Sequence, residues 1–71
     1  MSGTVVAFDE MVGLGEVEAP PAAGSGLVRY PFHSTQIADG SRVLPVGAGV
    51  SFELLAGRGG RWEAADLRST P

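Results

Sequence analysis

The sequence predicts an all-β domain, a small closed barrel of five short strands. Eleven Gly and five Pro interrupt the 71 residues every few positions, leaving segments too short for ordinary helices. Between the breaks, β-branched and aromatic residues alternate with polar ones, the period of a strand buried on one side. Five such strands with Gly-rich turns would leave exposed edges unless the sheet closes on itself. The length allows one domain, residues 1–71.

The first strand is predicted over Gly3 to Phe8, where Val5, Val6 and Phe8 favour extended backbone. Asp9 to Gly13 reads as a turn, and Leu14 to Ala19 as the returning strand. Period two places Gly15, Val17 and Ala19 on one face and Leu14, Glu16 and Glu18 on the other, with Val17 pointing to the core. Pro20 to Gly26 offers nothing that packs well and is expected to be an exposed, mobile loop. Leu27 to His33 is the third strand. In it Val28, Tyr30 and Phe32 share one face, and Arg29, Pro31 and His33 share the other. Pro31 has no N–H, which places it at an edge or a bend.

Ser34 to Ile37 is short enough for one helical turn, and Ala38 to Gly47 reads as loop. Val50 to Leu54 is the cleanest alternation in the chain and the fourth strand; Ala56 to Gly60 is a flexible tip. The last segment, Arg61 to Arg68, is open to two assignments. Glu63 to Arg68 contains good helix formers, whereas a lone terminal helix would be an odd companion to four strands.

Composition narrows the function. Five Arg and no Lys stand against eight Asp and Glu, a net charge of −3. Hydrophobic residues make up 44%, too many for a disordered chain, although nine of them are Ala. Without Cys there is no disulfide, thiolate ligand or thiol nucleophile. No apolar run approaches the roughly 20 residues of a membrane helix. Met-Ser-Gly-Thr at the start has neither the basic nor the apolar region of a signal peptide, so a cytoplasmic location is expected.

Several segments resemble, in order, the bacterial cold-shock domain, a five-stranded antiparallel barrel of the oligonucleotide-binding (OB) type. Gly3-Thr4-Val5-Val6-Ala7-Phe8-Asp9 is similar to its first strand. Val12-Gly13-Leu14-Gly15-Glu16-Val17 stands at its first nucleic-acid-binding motif, Lys-Gly-Phe-Gly-Phe-Ile. Tyr30-Pro31-Phe32-His33-Ser34 stands at its second, Val-Phe-Val-His-Phe. Ile37, Leu44, Gly47, Val50 to Glu53 and Ala64 to Leu67 fall at further family positions, so the similarity spans essentially the whole chain.

The resemblance implies single-stranded RNA or DNA as the partner, bound by aromatic rings on the second and third strands with basic residues along the phosphates. Here that platform is dismantled. Ala7 stands where the family has Trp, Leu14 and Glu16 replace its two Phe, and Pro31 and Ser34 replace two more rings. Val12 replaces a Lys; His33, Gly13 and Gly15 match. Tyr30 and Phe32 do not restore the platform, since alternation turns them away from His33 into the core. Each lost stack is worth about 1–3 kcal/mol, and Glu16 in the middle of the face repels phosphate.

The candidate nucleic-acid-binding residues are therefore Phe8, Arg29, His33, Arg42, Arg58 and Trp62. Each has a plainer reading. A single His is commonly a surface residue, and with no second His and no Cys it completes no metal site. Arg58-Gly-Gly-Arg61 resembles RGG sequences but equally suits a hairpin tip with two solubilising arginines. Gly13-x-Gly15 is turn and strand glycine, with no helix after it to cradle a phosphate. Glu16 and Glu18 share a strand face with no cleft to set their pKa values apart. No feature supports an enzyme, a cofactor or a metal. Two readings remain: a weak single-stranded nucleic-acid binder, or a degenerate barrel turned to protein contact through Leu14, Pro31 and Trp62.

Overall fold

The computed structural model describes residues 1–21 and 24–70, so Ala22 and Ala23 of the expected mobile loop, and Pro71, lie outside the described residues, as does the side chain of Arg58. The strands are β1 (Ser2–Asp9), β2 (Leu14–Ala19), β3 (Val28–His33), β4 (Gly49–Ala56) and β5 (Trp62–Ser69). Short 3-10 turns lie at Ser34–Gln36 and Arg58–Gly60. All neighbours pair antiparallel in one sheet, in the order β3-β2-β1-β4-β5.

Each turn has an identifiable cause. Between β1 and β2 the Asp9 carboxylate accepts the Met11 and Val12 N–H groups at 3.0 and 3.4 Å, an Asx-type arrest. Gly13 then takes φ 70°, a conformation that costs glycine little. The β4–β5 tip closes where the Gly57 N–H donates to the Arg61 carbonyl at 2.6 Å.

The inward row matches the predicted alternation. Gly15, Val17 and Ala19 of β2 and Tyr30 and Phe32 of β3 are buried. They meet Val5, Val50, Phe52 and Leu67, with Leu44 dropping in from the long loop before β4. Gly15 lies between Phe8 and Phe32 in the cross-strand register. Lacking a Cβ, it lets the two rings stack across it, centroids 5.9 Å apart and planes within 8°. Val28, placed on the same face as Tyr30 and Phe32, is exposed at the strand entrance.

β5 settles the ambiguous C-terminal segment as strand. Its pairing with β4 buries Ala64, Ala65 and Leu67, and this ladder outweighs the helix preference of Glu63 to Arg68. The register shifts between Ser51 and Glu53, leaving one extra residue on β5, where Asp66 adopts φ 51°. A second shift, between Val5 and Ala7, puts an extra residue on β1. Bulges of this kind sharpen the local twist and bend the sheet.

The expected barrel closure is not made. Cα atoms of β3 and β5 approach within 8 Å, yet in the sheet β3 pairs only with β2 and β5 only with β4. Two local features explain the open seam. Pro31, in the body of β3, withholds an N–H from any closing ladder. At Leu67, β5 is instead engaged by the segment leaving the first 3-10 turn, through a parallel Ile37–Leu67 bridge and an Ala38 N–H to Leu67 carbonyl bond of 2.8 Å. No helix among the described residues is long and apolar enough to cross a membrane.

Candidate nucleic-acid interface

The outward face of β1, β2 and β3 is fixed by register. Three rows cross it: Asp9–Leu14–His33, Ala7–Glu16–Pro31 and Thr4–Glu18–Arg29. Cross-strand neighbours in such rows have Cβ atoms about 4.5–5.5 Å apart. None of these nine residues is an aromatic ring of the Phe, Tyr or Trp type. Tyr30 and Phe32 are 9% and 1% exposed, so they stack no base on this face. The face is instead an apolar groove lined by Ala7, Phe8, Leu14, Gly15 and Pro31, with Asp9 and Glu16 in its walls.

Phe8 belongs only partly to this face. It is half-buried and packs on Phe32, so that one of its ring faces is already occupied. Arg29 is exposed, and its Nε donates to Glu18 at 3.2 Å. An exposed pair of this kind is worth about 0–1 kcal/mol, weak enough for a phosphate to compete for the guanidinium.

A second cleft opens along the seam between β3 and β5. Its lining includes Arg29, Tyr30, Pro31, Arg61 and Trp62. Trp62, the first residue of β5, is 56% exposed. The β4–β5 tip thus carries an aromatic side chain and Arg61 to the flank of β3, next to Arg29. Here an exposed ring and two arginines line one concavity. Arg61 is the residue that the list of candidates lacks; its place beside Trp62 in the chain was the available signal.

The other candidates lie apart. His33 is exposed and lines a different cleft, with Leu55, Ala56 and Glu63 among its walls. Arg42 is exposed in the loop before β4 at φ 61° and lines neither the groove nor the seam. In the same loop the Ser41 N–H donates to Asp39 at 2.8 Å. That bond, joined by a weaker contribution from the Ser41 side chain, holds the Asp39 carboxyl below its ordinary value of 3.8 despite a small opposing desolvation. Arg58 has its backbone in the tip that presents Trp62; its side chain is outside the described residues. Among the described residues no cluster of three or more His, Asp or Glu could hold a metal.

Compared with protein-family models the chain matches none, and a comparison with curated proteins finds no match.

Proposed function

We propose that the chain is a cold-shock-like domain of OB type that binds single-stranded RNA or DNA weakly, through the seam between β3 and β5 rather than across the sheet. The observation that carries this reading is the shared cleft of Trp62, Arg61 and Arg29. An indole offers a π-face to any base, and guanidiniums beside it neutralise the flanking phosphates. The OB-type assignment rests on the sheet order, which makes the two end strands, β3 and β5, the pair that approach each other. A five-stranded barrel needs that same meeting of its ends. With one stack available, affinity is weak, and the apolar and acidic outer face adds nothing for a polyanion.

The test is a titration of labelled oligothymidine at 20 and 200 mM salt, followed by anisotropy and by Trp62 emission. Two phosphate contacts on a single strand give a slope near −1.4, so binding weakens about 25-fold over that range. No measurable binding at the lower salt ends this reading.

One observation favours a second reading, contact with a protein. Pro31 lines both the outer groove and the seam, joining Leu14, 46% exposed, to Trp62 in one apolar path. Capture of a partner that survives excess oligonucleotide and is lost in Leu14→Asp supports it.

A further inference from the structure

Charge along the chain is divided. Residues 1–28 contain Asp9, Glu10, Glu16 and Glu18 and no Arg or Lys; all five Arg come later. The fold converts this division into a surface. Asp9 and Glu16 stand in the walls of the groove on the outer face of β1, β2 and β3, and neither makes an ion pair among the described residues. Leu14 is the cross-strand neighbour of Asp9 and lies two residues from Glu16 on its own strand. An exposed apolar side chain is thus bracketed by carboxylates across the sheet and along it. Beside it, Ala7 and Pro31 leave low walls, and the stacked Phe8–Phe32 pair lies behind Gly15. The adjoining turn adds Met11 and Val12, which are 95% and 62% exposed.

We propose that this groove docks a basic segment of a partner protein, one in which an apolar anchor side chain is flanked by Arg or Lys. The inference rests on the protein-contact reading and names the chemistry of the partner. The anchor covers Leu14, Ala7 and Pro31, while the flanking cations answer Asp9 and Glu16. Carboxylates without an ion-pair partner beside an apolar floor discriminate by sign: they attract a cationic peptide and repel both an acidic peptide and a phosphate backbone. Nucleic acid is accordingly left to the seam.

The experiment uses the full chain and three labelled hexapeptides, Arg-Arg-Leu-Phe-Arg-Arg, its charge-inverted form Glu-Glu-Leu-Phe-Glu-Glu and the anchorless Arg-Arg-Ser-Ser-Arg-Arg, read by anisotropy at 50 mM salt. The first is expected to bind at least tenfold more tightly than either of the others. Glu16→Lys is expected to weaken it at least fivefold, and Leu14→Asp to weaken it as much although the added carboxylate favours cations. Far-UV circular dichroism is the check that both variants retain the sheet. Val46→Ser, an exposed loop position outside both the groove and the seam, should leave peptide affinity unchanged. If the acidic peptide binds best, the partner chemistry is overturned while protein contact at the groove survives. If neither anchored peptide binds at millimolar concentration, both fall. Equal binding of the anchored and anchorless basic peptides reduces the groove to a diffuse acidic surface and also overturns the inference.

Discussion

Gly15→Ala tests the packing behind the groove. A Cβ at Gly15 would overlap Phe32 Cζ and lie 2.7 Å from Phe32 Cε1 and 2.9 Å from the Ala7 carbonyl oxygen. None of these neighbours moves cheaply. Phe32 is 1% exposed and held against Phe8, and the Ala7 oxygen is backbone in a paired strand. Overpacking of this type costs about 1–3 kcal/mol. A domain of this length has a total stability of roughly 4–10 kcal/mol, so the substitution removes a substantial share. At about 4–8 °C per kcal/mol, a loss near 2 kcal/mol lowers the melting temperature by roughly 8–16 °C. Thermal unfolding followed by far-UV circular dichroism measures it. Gly49→Ala is the control, since among the described residues its Cβ meets only the Thr70 hydroxyl, at 2.7 Å, on an exposed side chain. A Gly15→Ala shift no larger than that of the control would mean that the rings part without strain, and that glycine is not what allows them to stack.

Other expectations concern the seam, the bulge and the loop. Trp62→Ala should weaken oligothymidine binding about 5- to 150-fold, the range of one lost stack, whereas Arg61→Ala should flatten the salt slope by about 0.7; isothermal titration at several salt concentrations separates the two. Asp66→Val should cost about 1–2 kcal/mol in urea unfolding, because a β-branched residue resists the positive φ at that position. Asp66→Gly gives up only the exposed ion pair with Arg68 and should fall within about 0.5 kcal/mol of the parent. Asp39 has its folded pKa below the ordinary 3.8, so its contribution to stability is present above that value and fades as pH falls through the lower folded one. Carbon-detected NMR titration should place the Asp39 midpoint below 3.8, and Ser41→Pro, which removes the donating N–H, should raise it.

Where the period-two pattern is uninterrupted, the sequence was legible. β2 occupies Leu14–Ala19 as expected, and the burial of Tyr30 and Phe32 opposite His33 followed from alternation alone. The C-terminal strand was obscure for a definite reason. The bulge at Asp66 breaks the period, and Ala64 and Ala65 are buried in succession, so the segment shows neither clean alternation nor β-branched residues. Leu44 stood out only as a family position of the resemblance, because loop composition says nothing of which residue dips inward. The open seam lay beyond local reading, since it depends on how Ile37 and Ala38 meet β5. So did the separation of the candidate site, in which Trp62, Arg61 and Arg29 gather while His33 and Arg42 lie elsewhere. Their grouping is set by where the β4–β5 tip lands beside β3.

On the proposed seam reading, the same geography would limit how long an oligonucleotide is held. A strand leaving the Trp62 cleft across β3 passes Pro31 and then meets Glu16, its cross-strand neighbour. Beyond that point the face of β1 and β2 offers carboxylates and no guanidinium, so further phosphates gain nothing and are repelled. OB folds that bind along their full face engage about 4–16 nucleotides; a site confined to the proposed seam would hold about three. A nonamer of thymidine should therefore bind only about sevenfold better than a trimer, the statistical gain of its seven overlapping registers, because the trimer already fills the cleft. In Glu16→Lys the repelling wall becomes an attractive one, and affinity should rise further with length while the salt slope steepens by about 0.7. If the parent chain already gains more than a hundredfold from trimer to nonamer, nucleic acid crosses the acidic face, and the division of the surface into a polyanion seam and a cation groove is wrong.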